Sequence, residues 1–323
     1  MAIFSFNNCD QKQLIGSLDF SHVEQLTNVL FDILDAIQSN VLSMPSLYYI
    51  DEKGYWLKGI ALCSASNTLE SSLHCAKIAH FADAVFLLRK YRDDILQFIW
   101  VYQVINKEDV SLRKMGYSEE ELKKVFNNKD VDTIIKIMAI YFHNNFNEGL
   151  KSVDKKAVDQ WIQNTLVDNQ DIQHKYFKAS KYKNYLSSEN DAIRDVFANL
   201  TFRNSGKKDN VWSFVDRLNN NFAHSNGEKY IFINALDGLN VDEAKNVFKD
   251  YELALEGISV LLLMILILTN PLFIQSSDYM DALDIGVQPI EDSQYFILPL
   301  VQDFMNNYFK DFIIKKKKAM EVD

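Results

Sequence analysis

The stretch from Asp242 to Leu268 reads DEAKNVFKDYELALEGISVLLLMILIL. Its first half alternates charged and apolar residues at helical spacing, and its second half is aliphatic almost throughout. No charged residue occurs from Gly257 to Ser277. A helix that is apolar all round needs burial on every side. A transmembrane span needs roughly 20 apolar residues. Here Thr269-Asn270-Pro271 interrupts the run after Leu268, and acidic residues flank it at Asp250, Glu252, Glu256 and Asp278. The expected role is a buried core helix or a dimer-interface helix, with a membrane-associated effector as the weaker alternative.

Composition agrees with a helical fold. The 323 residues include only 10 Gly and 4 Pro, and 48% are hydrophobic. A strand-rich fold of this size would need more turn residues. The expected class is all-α: a multi-helix bundle with long core helices. Ser21 to Asn40 keeps the 3.6-residue period through Val23, Leu26, Leu30, Ile33, Leu34 and Ile37. Tyr48-Tyr49-Ile50 and Tyr55-Trp56-Leu57 flank Asp51-Glu52-Lys53-Gly54, a pattern that reads as a small β-hairpin. Residues 1–65 are thus expected to form an N-terminal helix-plus-hairpin subdomain, and 66–323 a helical domain with an insertion around 112–170. Within the latter, Leu69 to Ile105 reads as one long helix or two end to end, with Ile78, Phe81, Val85, Leu88, Ile95, Phe98 and Tyr102 on its apolar stripe. Further helices are expected over 118–127 (opened by the capping box Ser118-Glu119-Glu120-Glu121), 131–146, 154–167 and Gln294 to Ile314.

The net charge of −10 argues against wholesale coating of nucleic acid but leaves room for a local basic patch. Cys9, Cys63 and Cys75 form no CxxC pair, and the N-terminus carries no secretory signal, so a reduced cytoplasmic compartment is expected. His74, Cys75 and His80 do not complete a tetrahedral set, and no metal or other cofactor is expected. Gly-rich phosphate loops and the His-Glu-x-x-His pattern are missing, which speaks against kinase, dinucleotide-binding and zinc-protease chemistry.

One stretch combines groups that can act on a phosphate. Arg217 and His224 lie seven residues apart, nearly two turns, and so share one face if the helix is continuous. Asn220 and Asn221 fall between them on the same stripe. Asp209 is a plausible N-cap for this helix, and Ser225-Asn226-Gly227 its stop. The chain has only six arginines among 34 basic residues, which makes this placement informative. The alternative is structural: an Arg and a His near a helix end can cap carbonyls and meet the negative end of the dipole.

The Arg-(six residues)-His spacing at Arg217 and His224 resembles the signature of the HEPN superfamily. These are helical proteins, many of them metal-independent endoribonucleases of toxin–antitoxin and anti-phage systems. Where family members often carry a polar residue directly after the arginine, this chain has Leu218, and its asparagines begin at Asn219. The resemblance implies a homodimer that pairs two histidines, RNA as substrate, and an antitoxin or defence-system partner. RNA carries its own nucleophile, the 2′-hydroxyl. An imidazole suits the proton transfers, arginine can stabilise charge on the phosphate, and asparagine can orient either. The competing expectation is a non-catalytic helical subunit of a defence complex.

Two further clusters are candidates for RNA contact. His174 to Tyr185 interleaves Lys175, Lys178, Lys181 and Lys183 with aromatic residues; lysines can meet phosphates and rings can stack on bases. The same pattern is satisfied by an amphipathic helix whose rings face inward. Arg89 and Arg92 belong to the charged run Arg89 to Asp94. That run reads either as an Arg89–Asp93 helix pair or as a polar cluster packed against the helix of Arg217.

Overall fold

Few glycines and prolines leave long uninterrupted segments, and the computed structural model is predominantly helical. It describes residues 15–43, 52–114, 157, 177–203, 210–222, 241–276 and 297–314. Among these, α1 spans Ser21–Ser43, α2 Glu52–Lys77, α3 Phe81–Lys114, α4 Ala179–Glu189 and α5 Asp191–Asn199. Strand β1 (Leu200–Phe202) leads to α6 (Val211–Phe222) and α7 (Val241–Thr269). A 3-10 turn at Pro271–Ile274, α8 (Pro299–Tyr308), a second 3-10 turn at Phe309–Asp311 and β2 (Phe312–Ile314) complete the order. The fold class is all-α. Among the described residues the one sheet is a two-stranded antiparallel pair that sets Leu200 opposite Ile314 and Phe202 opposite Phe312.

Helix α7 is the axis of the bundle, packed by α1, α3, α5, α6 and α8. By length and composition Ala244–Thr269 could cross a membrane, yet 61% of its apolar window is buried inside the fold. Leu261 and Ile265 are buried within the chain itself, so of the two expected roles, core helix or dimer-interface helix, this part of α7 takes the core one. Gly257 lets two neighbours approach α7 closely. A Cβ there would lie 2.9 Å from Cζ of Phe202 and 3.0 Å from Cγ1 of Val211.

The N-terminal hairpin is corrected too. Glu52 to Lys77 is one helix, so Tyr55-Trp56-Leu57 is helical, while 44–51 lie outside the described residues. Helix α2 runs unbroken across residues 65 and 66, and α1 shares one apolar core with the rest of the bundle. Of the two expectations for Leu69 to Ile105, one long helix or two end to end, the structure has two helices, α2 and α3, which pack on each other instead of lying end to end. They part at Ala79, whose φ of 60° is left-handed. His80 N–H donates to Cys75 O (2.8 Å) and Ala79 N–H to Ala76 O (2.9 Å), the paired bonds of a Schellman ending. Ile78, placed on the core stripe by its spacing, is 48% exposed because it falls in this turn.

Asparagine does much of the punctuation that glycine and proline do elsewhere. Asn190 Oδ1 accepts from Ala192 and Ile193 N–H and caps α5, while its Nδ2 donates to Leu268 O. Asn210, not Asp209, caps α6: its Oδ1 accepts from Ser213 N–H, and its Nδ2 donates to Phe197 O and Leu200 O. Asn270 ends α7 and caps the 3-10 turn through Leu272 N–H. From α1, Asn40 Nδ2 donates to Phe273 O (3.0 Å) and Gln275 O (2.8 Å), which ties α1 to the far end of α7. Near the other end, the buried Ser72 hydroxyl donates to Ala84 O and meets the Tyr251 hydroxyl at 3.0 Å, which joins α2, α3 and α7.

The last expected helix, Gln294 to Ile314, is corrected at both ends. Among its described residues, 297–314, the α-helical part is Pro299–Tyr308, with proline at its first position where no N–H is needed. The aromatic and β-branched run Phe312-Ile313-Ile314 pairs with β1 instead. The helices expected over 118–127 and 131–146 lie outside the described residues, as does 154–167 apart from Ala157.

Candidate functional site

Helix α6 carries the residues singled out by the Arg–His spacing. Its periodicity divides it cleanly. Ser213, Arg217 and Asn220 are exposed and Asn221 is half-buried, whereas Val211, Trp212, Phe214, Val215, Leu218 and Asn219 are buried. At about 100° per residue, Arg217, Asn220 and Asn221 fall within one outward stripe. The Arg217 guanidinium lies 5.8 Å from the Phe214 ring centroid, one turn back. The helix is described as far as Phe222, and His224 lies outside the described residues, as do Asp209 and 225–227.

The inner side of α6 meets α3 through charge. Arg92 is 2% exposed. Its Nε donates to Asp93 Oδ1 at 2.9 Å, and its Nη1 to Asp216 Oδ1 at 2.7 Å across the helix interface. The face of the guanidinium rests on the Trp212 ring, 4.2 Å from its centroid. Arg92 therefore meets α6 at Trp212 and Asp216, which are one helical turn apart. On the α3 side, Arg89 Nε lies 3.7 Å from Asp93 Oδ2, and Lys90 pairs with Asp94. Both expectations for this run hold as geometry: there is an Arg89–Asp93 helix pair, and a polar cluster does pack against the helix of Arg217. Arg92 itself is buried and occupied by protein carboxylates, so it does not present a phosphate-binding surface.

The lysine-rich stretch divides similarly. Its rings face inward: Tyr182 is buried, and the Trp100 indole packs against Phe177 (5.5 Å) and Tyr182 (5.1 Å). Lys178 is exposed and Lys181 half-buried; Lys175 lies outside the described residues. Lys183 turns toward α6, with Nζ 4.6 Å from the Trp212 centroid and 5.5 Å from that of Phe197. Trp212 thus receives one cation from α3 and another from α4.

Burial sets the electrostatics of this seam. The Asp93 carboxyl is pushed up by desolvation, against the pull of Arg92 and Arg89. The Lys183 ammonium is pushed down by desolvation and by Arg92, while Asp216 acts to hold its charge. Asn219, 1% exposed and three residues beyond Asp216, has an Oδ1 with no hydrogen-bond partner. Among the described residues, no three His, Cys, Asp or Glu side chains form a group that could hold a metal. His80 instead lies 3.6 Å from Asp83.

Sequence reading missed Asp216 as the partner of Arg92, and Trp212 as more than a core residue. One local signal was present, a carboxylate directly before the motif arginine. The pairing itself joins residues 124 positions apart and leaves no trace in spacing. No family model, curated protein or solved structure matches the chain.

Proposed function

We propose that the chain is a HEPN-like, metal-independent endoribonuclease, acting as a toxin or an anti-phage effector. His224 serves as acid and base, Arg217 stabilises the charged phosphate, and Asn220 and Asn221 orient the reacting groups. The observation that carries this reading is the outward stripe of Arg217, Asn220 and Asn221 on a helix whose other faces are buried. Exposed guanidinium and amide groups in one line are suited to a phosphodiester backbone. A 2′-hydroxyl nucleophile would leave a 2′,3′-cyclic phosphate, and a homodimer would bring two His224 side chains to one cleft. Labelled RNA incubated with pure protein tests this. His224→Ala and Arg217→Ala should each abolish cleavage, EDTA should leave it intact, and a 2′-deoxy position should resist. Wild-type cleavage by His224→Ala at matched purity would overturn the assignment.

The second reading, a non-catalytic subunit of a defence complex, is favoured by a different observation. Ile78 and Phe86, at the turn into α3 and near its start, are 48% and 52% exposed. Large apolar side chains held in solvent suit a partner surface. Absence of cleavage by wild-type protein, together with a stable co-purifying partner lost in Phe86→Ser, would favour it.

A further inference from the structure

Resting on the ribonuclease reading, we infer that Arg92 is a positioning residue that sets the rotation of α6 through Asp216 and so aims Arg217, Asn220 and Asn221 outward. The guanidinium makes contacts in two directions. In its plane it bonds Asp93 on its own helix and Asp216 on α6; across its face it rests on Trp212. Two contacts on α6 one turn apart fix the helix against rolling. A roll of one residue step, about 100°, would carry Asp216 out of reach and turn Arg217 toward α3. Lys183 meets the same Trp212 ring from α4, so the anchor is held by two neighbouring helices.

Stability alone is a poor account of this arrangement. The guanidinium is 2% exposed while the Asp216 and Asp93 side chains keep 43% and 29% of their surface, so desolvation of the buried cation offsets much of an attraction that water already screens on the carboxylate side. What the pair supplies is direction. Two in-plane bonds from one planar fork define an angle, and a lysine, with one rotatable ammonium, does not reproduce it. Asp216 immediately precedes Arg217, so the constrained residue and the exposed one are covalent neighbours. Misplacement of a reacting group by about 1 Å can lower a rate by about 100-fold.

The test compares wild type, Arg92→Lys, Asp216→Asn and the double variant, with Arg194→Ala as control. Arg194 is exposed and pairs with Asp191 on its own helix, away from this seam. Two readings are taken on each protein: kcat and KM on labelled RNA, and amide hydrogen exchange along 211–222 and 251–266. Arg92→Lys and Asp216→Asn should each lower kcat about 10- to 100-fold with KM changed less than about two-fold. Exchange should rise about ten-fold or more along 211–222 and stay unchanged along 251–266. The double variant should be no worse than either single one, since both break the same contact. Unchanged kcat and unchanged exchange along 211–222 in Arg92→Lys would overturn the inference. So would faster exchange in both segments with kcat per folded molecule unchanged, the pattern of a merely structural residue. If wild-type protein cuts no RNA, the ribonuclease reading fails by itself. The exchange along 211–222 then still decides whether the Arg92 fork holds α6.

Discussion

Arg92 and Glu256 both carry charge into the helical bundle, and they are treated differently. Arg92 on α3 is almost fully buried and has two carboxylates and an aromatic face to meet. Glu256 on α7 is partly buried beside charges of its own sign. Desolvation, then Asp311 and Glu252, push its carboxyl up to about 7. The first is a matched charge whose removal strands its partners. The second is a mismatched charge whose removal relieves a conflict. The polar interior of this protein is therefore not one kind of environment, and substitution should change stability in opposite directions at the two places.

The largest expected effect breaks the matched side. Arg92→Ala leaves Asp93 and Asp216 without their shared cation and opens a void under Trp212; because both carboxylates keep some contact with water (29% and 43% exposed), the cost should be about 2–3 kcal/mol, much of it lost packing. Chemical denaturation would measure it. A loss below about 1 kcal/mol would mean that the seam is already open to water.

Next is Gly257→Ala, one residue beyond the mismatched charge. The added methyl meets the Phe202 ring, which is itself packed between Phe214 and Phe312 and has little room to yield. Overpacking of about 1–3 kcal/mol, reduced by the better helix propensity of alanine of about 1 kcal/mol, leaves a loss of up to about 2 kcal/mol. A higher melting temperature in Gly257→Ala would refute the close approach of α7 to β1.

The smallest effect is a gain. Glu256 binds its proton more tightly in the folded chain than in the unfolded one, where the ordinary value is 4.5. The unfolded chain therefore loses this proton first, and stability should fall as pH rises from about 4.5 to about 7, then level off. Glu256→Gln removes that dependence. It should raise stability at pH 8 by about 1–2 kcal/mol, after allowance for solvent screening of a group that is not fully enclosed, and should change little near pH 4.5. Melting curves across this window would show it, and equal pH slopes in both proteins would sink the prediction.

How much of this was legible in the sequence depends on the range of the interaction. Helices α1 and α7 were readable because their apolar residues repeat at the helical period over several turns. The hairpin was misread because aromatic residues around Asp51 to Gly54 carry a β-preference that packing of α2 on α3 overrides. The break between α2 and α3 was allowed for but its position was unmarked, because its left-handed residue is Ala79, where glycine or asparagine would have shown it. At the candidate site, the outward stripe of Arg217, Asn220 and Asn221 followed from local spacing alone. The inward half, Asp216 to Arg92 and Trp212 to Lys183, is made by α3 and α4, which no local pattern connects to α6.

The short sheet has a consequence for synthesis of the protein. Strand β1 lies between α5 and α6, yet its partner is residues 312–314, and Arg203 N–H also donates to Asp311 O. A nascent chain can assemble α1, α2 and α3 early, from contacts close in sequence. The edge of β1 must wait for more than a hundred further residues to be translated. During that interval Thr201 can bridge Asn210 on one side, but the edge of Leu200, Thr201 and Phe202 that will meet residues 312–314 is unpaired and flanked by two large apolar side chains, the kind of edge that recruits other chains. Slow translation of the segment after residue 202 would lengthen the exposure, and a chaperone that binds extended apolar segments would have a client sequence there for the whole of it.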